Sequence, residues 1–125
     1  MKKIINTKAA PAPIGPYSQA VQAGPFLFCS GQVAINPKSG ALVLDTLENE
    51  THQVMKNVGE LLKAAGYGFG DVIKTTIFLS DMDFFSRVNE VYGSYFKSDF
   101  PARETVAVRE LPKSVNVEIS VTAYR

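Results

Sequence analysis

The sequence predicts an α+β fold in which two amphipathic helices cover one face of a mixed β-sheet. Three observations carry this. Residues 46–65 keep a 3.6-residue apolar period, and residues 115–124 alternate strictly between apolar and polar side chains. The elements also arrive as strand pairs with two helices between them, an order that suggests a helix layer on a mixed sheet. An alternating strand has one apolar face that needs cover, and helices with apolar stripes supply it.

Taken in order, residues 9–16 hold three of the chain's seven prolines and should form a stiff, extended loop. Phe26-Leu-Phe-Cys-Ser30, closed by Gly31, reads as a buried strand. Asn36-Pro-Lys-Ser-Gly40 has the residues of a turn. The first helix is expected from Thr46 or Leu47 to Ala65, with Gly66 beyond its end. Val54, Met55, Val58, Leu61, Leu62 and Ala65 make its buried stripe, and His52 falls on the opposite face. Residues 72–79 are rich in β-branched side chains and predict a strand with Ile73, Thr75, Ile77 and Leu79 on one face.

Asp81 or Asp83 can cap a second helix that carries Phe85, Val88, Tyr92 and Tyr95 on one side and ends at Phe100-Pro101. Residues 105–110 and 115–124 predict two more strands, separated by Leu-Pro-Lys-Ser. In the last strand Val115, Val117, Ile119, Val121 and Ala123 face the core, and Asn116, Glu118, Ser120, Thr122 and Tyr124 face away. That second face is polar but weakly charged, and suits either solvent or another subunit.

Composition narrows the function. A chain of 125 residues has room for one domain, 1–125, and one core. Thirteen Lys and Arg against twelve Asp and Glu leave a net charge of +1, and the only dense cationic cluster is Lys2-Lys3. Neither nucleic acid nor an anionic membrane is selected by such a charge. The lone Cys29 rules out an internal disulfide and fits a reducing compartment. No apolar run approaches the roughly 20 residues of a membrane span, and the early prolines break any signal-peptide core, so a cytoplasmic location is expected. One His and one Cys, far apart in the chain, give no zinc spacing, and no glycine-rich phosphate loop is present. A Cys29–His52 dyad is disfavoured because His52 points away from the helix's core stripe.

The candidate chemistry lies near the C-terminus. Arg103 and Thr105 share strand parity, so a regular strand puts both on one face. If Leu-Pro-Lys-Ser closes a hairpin, Glu118 sits beside Thr105 and within reach of Arg103. An arginine can hold a carboxylate through two parallel hydrogen bonds, and a glutamate nearby can move a proton to or from water. Arg and Glu on adjacent strands are more often a surface ion pair, so spacing alone leaves both readings open. Taken singly, Tyr17 and Ser30 read as a packed loop tyrosine and a strand-end hydroxyl, and Asn89 as a helix residue without evident role.

Seven short motifs nevertheless occur in a telling order: Ile14-Gly-Pro-Tyr-Ser-Gln19, Ser30-Gly-Gln32, Asn36-Pro-Lys-Ser-Gly40, Val88-Asn89-x-x-Tyr92, Phe100-Pro-Ala-Arg103, Leu111-Pro-Lys113 and Val117-Glu-Ile119. In order and spacing, from end to end, the chain resembles the RidA/YjgF family of reactive-intermediate deaminases. The resemblance implies a chorismate-mutase-like α+β fold, and a homotrimer whose sheets line a central β-barrel with three sites between neighbouring subunits. It also implies hydrolysis of imine and enamine acids such as 2-aminoacrylate and 2-aminocrotonate to 2-oxo acids and ammonia, without metal or cofactor.

Carried across, Arg103 matches the arginine that grips the substrate carboxylate, and Glu118 the acid that positions or polarises water. Tyr17, Ser30, Gly31 and Asn89 match pocket residues. Thr105 stands where many relatives have cysteine, which removes thiol chemistry there but keeps a hydroxyl. Glu104 replaces a small or hydroxyl residue and should point to the opposite face from Arg103. Ser120 replaces an acid, leaving Glu118 the only carboxylate on that strand's polar face. Two other functions occur within the resemblance, a small-carboxylate-binding regulatory module and a translation-inhibiting ribonuclease. The retained Arg103 and Glu118 favour catalysis over the first; one His and a near-zero charge disfavour the second.

Overall fold

The computed structural model describes residues 1–125. Six strands, β1 (Lys2–Ile5), β2 (Ala20–Ala23), β3 (Phe26–Cys29), β4 (Val72–Leu79), β5 (Ala102–Ala107) and β6 (Val117–Tyr124), form one sheet in the order β1-β2-β3-β6-β4-β5. Helix α1 (Leu47–Ala64) and helix α2 (Phe85–Gly93) lie on one face. The β4–β5 pair is parallel and the other pairs are antiparallel, which makes the sheet mixed, as expected. No helix is long and apolar enough to cross a membrane.

Helix α1 forms where its period placed it. The Thr46 hydroxyl accepts the Asn49 N–H at 3.0 Å, a cap worth about 1 kcal/mol. Val54, Met55, Val58, Leu61 and Leu62 are all buried, each contributing roughly 1.5–3 kcal/mol relative to an exposed side chain. They pack on Leu27, Ile77, Leu79, Val117, Ile119 and Ala123 of the sheet. Residues 9–16 form a loop, as expected, though one that bends at Ala10 and at Ile14 to Pro16, and Asn36 to Gly40 form the expected turn, closed by Gly40 N–H to Asn36 O at 2.8 Å.

Several expectations are corrected. The strand at Phe26 is half-buried rather than buried: Leu27 and Cys29 face the helices while Phe26 and Phe28 face out. A bulge between Val72 and Lys74 reverses the parity of β4's first residues, so Val72 rather than Ile73 shares the buried face with Thr75, Ile77 and Leu79. Asp81 does cap, but over a single 3₁₀ turn, Met82–Phe84, that leads into α2. Helix α2 stops at Gly93, well before Phe100-Pro101, as i→i+3 bonds from Tyr95 and Phe96 tighten its exit. Tyr95 and Phe96 still pack against the core. Strands β1 and β2 escaped the sequence reading because four-residue strands with mixed side chains leave little periodicity.

The correction that matters most is topological. Leu-Pro-Lys-Ser does not close a hairpin. Strand β5 begins at Ala102, pairs with β4, and is separated from β6 by β4.

Candidate active site

Two pockets carry the candidate residues, on different parts of the molecule. The first, about 390 Å³, is lined by Pro11, Ala12, Ile14, Tyr17 and Gln19, by Ser30 to Val33 and Ile35, and by Pro112, Lys113 and Glu118. Its wall is the proline-rich loop, whose prolines offer carbonyls but no N–H groups. Buried Gln19 supplies the missing bonds: its amide donates to the carbonyls of Thr7, Ala10 and Pro11, and its oxygen accepts the Thr7 N–H at 2.8 Å. This holds Tyr17, half-exposed, over the pocket. Ser30 is tied to the same loop, donating its hydroxyl to the Ser18 carbonyl at 2.6 Å. Asn57 of α1 donates to the carbonyls of Val33 and Ile35 and sets the opposite wall. The Pro112–Ser114 turn closes the end, with Lys113 at φ 57° and Ser114 at φ 54°. Two consecutive non-glycine residues in the left-handed region cost of order 1–3 kcal/mol each, a strain typical of functional loops.

Glu118 lies at the base. It leans on Gly31 so closely that a Cβ there would meet Oε2 at 2.6 Å. Burial pushes its pKa above the ordinary carboxylate value, and no cation or hydrogen bond opposes the shift.

The second pocket is lined by Asn89, Tyr92, Phe100, Pro101 and Arg103. Arg103 extends from edge strand β5 under α2. Its guanidinium carbon lies 5.5 Å from the Phe85 ring centroid and 5.4 Å from that of Tyr92, within cation–π range. One arm donates to Asn89 Oδ1. Tyr92 is fixed in turn by its hydroxyl, which donates to buried Thr75 at 3.0 Å. None of the chain's ion pairs includes Arg103. The cation is thus aligned by aromatic faces and a neutral amide, and its fork is left open to an external carboxylate. Thr105 shares its face of β5, and its buried hydroxyl has no hydrogen-bond partner.

The structure therefore brings together Tyr17, Ser30, Gly31 and Glu118, and separately Asn89 and Arg103, with Thr105 on the same face of β5. It does not bring Arg103 to Glu118 within one chain. Arg103 pairs across the sheet with Thr75 on the helix face; Glu118 pairs with Phe78 on the open face, and β4 stands between their strands. Two strand spacings, roughly 9–10 Å, and the thickness of the sheet divide them. Glu104 does point away from Arg103, and pairs with Lys74 at 2.8 Å and with the Thr76 hydroxyl.

Phe85 and Tyr92 were read in the sequence only as part of an apolar stripe. Their spacing from Asn89, four residues before and three after, is the helical signal that all three face one ligand. His52 is not on a free face: Nδ1 lies 2.8 Å from the Tyr95 hydroxyl. Cys29 is buried and its thiol is pushed up to about 12, which makes it inert. No group of three His, Cys, Asp or Glu side chains is placed to hold a metal ion.

The family model described as endoribonuclease L-PSP matches residues 7–125. The chain belongs to the RidA/YjgF family. Among its RidA/YjgF relatives, the 2-iminobutanoate/2-iminopropanoate deaminase of Mus musculus is 49% identical over the whole chain and 93% of its own length. A RutC family protein of Pyrococcus horikoshii is 50% identical over the whole chain and 99% of its own. The crystal structure of the E. coli YjgF gene product, 41% identical, superposes with a TM-score of 0.94 over 98% of each chain.

Proposed function

We propose that this protein is a 2-iminobutanoate/2-iminopropanoate deaminase, hydrolysing reactive imine and enamine acids to 2-oxo acids and ammonia at sites completed between the subunits of a homotrimer. The observation that carries the reading is the Arg103 guanidinium, stacked and steered yet without a carboxylate in its own chain. The mouse relative, 49% identical over the whole chain, bears the name of this activity.

Arg103 and Glu118 face opposite sides of the sheet, so a substrate touching both must lie between two copies. The open sheet face supports such an assembly. Phe26, Phe28 and Tyr124 are 37%, 49% and 50% exposed, and Phe26 packs against the other two rings. A cluster of exposed aromatics marks an interaction surface.

In the assembled site, Arg103 of one subunit binds the substrate carboxylate by a bidentate pair, with Asn89 fixing one arm. Tyr17, Ser30 and Gly31 of the neighbour wall the imine carbon. Glu118 orients a water and takes one of its protons as the oxygen bonds to that carbon. Glu118 passes that proton to the nitrogen, which completes the carbinolamine, and then carries the second water proton from the new hydroxyl to the same nitrogen. The C–N bond breaks, ammonia leaves with both water protons, and the water oxygen stays as the 2-oxo group. Imines hydrolyse in water unaided, so orientation and one carboxyl that relays two protons in turn suffice. The half-buried carboxyl, with its raised pKa, is suited to both halves of that relay. Neither pocket contains a histidine, which disfavours ribonuclease chemistry.

The test follows the decay of 2-aminoacrylate and 2-aminocrotonate, generated in situ by a dehydratase. Faster decay with wild type and loss of the effect in Arg103→Ala support the reading. Wild-type decay equal to the protein-free control overturns it.

A further inference from the structure

Glu50 is a fully buried acid that takes no part in the steps above. It stands near the start of α1, and its carboxylate accepts three hydrogen bonds from the start of β6. The Asn116 N–H reaches Oε2 at 2.8 Å, the Val117 N–H the same oxygen at 3.1 Å, and the Asn116 side-chain amide Oε1 at 2.8 Å. A buried carboxylate is tolerated only when its oxygens are occupied in this way. Asn116 is held from the other side as well: Ser80 donates its N–H to the Asn116 carbonyl at 3.0 Å and its hydroxyl to Oδ1 at 3.2 Å.

Glu118 lies one residue beyond this grip. One residue further, Ile119 exchanges backbone bonds with Gln32, at 2.8 and 3.1 Å. The main chain on either side of Glu118 is therefore fixed, by Glu50 at 116–117 and by Gln32 at 119. Between those points its carboxyl rests on Gly31 with no room to spare.

We propose that Glu50 is a positioning residue: its buried carboxylate sets where β6 begins and thereby holds the Glu118 carboxyl against Gly31. The proposal rests on the catalytic reading of Glu118. Glu50 never touches substrate, and carboxylate binding by Arg103, two strands away from β6, does not depend on it.

The test compares Glu50→Leu, Glu50→Asp and Glu50→Gln. A misplacement near 1 Å can cost about a hundredfold in rate, so Glu50→Leu should lower kcat by that order while KM stays within about threefold. Glu50→Asp, too short to reach both amides, keeps the charge and serves where the leucine variant does not fold; its kcat should fall about tenfold. The Glu50→Gln variant still offers an oxygen to both backbone amides and should recover most of kcat. In a Glu118→Gln background the Glu50→Asp change should cost nothing further, because the group it positions is gone. Unchanged kcat in folded Glu50→Asp and Glu50→Leu, or full additivity with Glu118→Gln, overturns the proposal. If wild type shows no deaminase activity, the functional reading fails instead. The proposal is then read from the amide resonances of Gly31 and Glu118, which it requires to shift in Glu50→Asp and hold in Glu50→Gln; unmoved resonances in Glu50→Asp overturn it.

Discussion

A Cβ placed on Gly31 would lie 2.6 Å from Oε2 of Glu118 and 3.1 Å from its Cγ. The glycine is a space requirement rather than a conformational one, since what it admits is the carboxyl itself. Gly31→Ala should displace that carboxyl, which sits at the end of a flexible side chain, and leave the backbone in place. The expected result is a kcat lowered by about tenfold to a hundredfold, with stability changed by less than about 1 kcal/mol. Steady-state kinetics beside thermal unfolding check it.

Arg103→Lys should fail to replace arginine. Lysine keeps the charge but loses the fork that grips a carboxylate at two points and the flat face that stacks between Phe85 and Tyr92. Charge-assisted bonds of about 1.5–3 kcal/mol are lost, so KM should rise roughly tenfold to a hundredfold, more than kcat falls. Substrate-dependence curves for the variant decide it.

Glu118 makes stability depend on pH. Burial raises its folded-state pKa above the unfolded value, so the folded form binds more protons between the two. Its contribution is therefore most favourable below the unfolded pKa and is lost as pH rises through the folded one. Glu118→Gln, which cannot ionise, should melt higher than wild type at neutral pH and show a smaller advantage in acid. Melting curves for both proteins across that range test the sign.

Thr105 buries a hydroxyl without a partner, which costs about 1–3 kcal/mol. Thr105→Val keeps the shape and removes the orphan, so the free protein should gain about 1 kcal/mol. The hydroxyl has no surface for a substrate to meet, so KM should be unchanged. Chemical denaturation and kinetics on one preparation give both numbers.

The sequence carried the helix layer and the alternation of β6 plainly, because 3.6-residue and two-residue periods are local properties. Pairing is not local. Nothing in residues 102–124 distinguishes a hairpin from two strands separated by a third, and the hairpin reading put Arg103 and Glu118 on one face when they are on opposite faces. The Val72–Lys74 bulge was hidden for the same reason, since β-branched side chains fit either face. The candidate residues that line the two pockets were singled out by motif order, whereas Phe85, Tyr92 and Glu50 were not among them. An aromatic that cradles a guanidinium and one that fills a core look alike in sequence, and an acid on a helix reads as solvated until its three donors are seen.

The central claim, that each site takes Arg103 from one subunit and Glu118 from another, is tested most directly by subunit mixing. Arg103→Ala and Glu118→Gln, each strongly impaired but with measurable residual activity, are dissociated and reassembled together. Random assembly of equal amounts should restore about a quarter of wild-type activity, because a site works only when both contributing subunits present an intact group. Mixtures that assemble yet stay as inactive as their parents would contradict the account and return the site to a single chain.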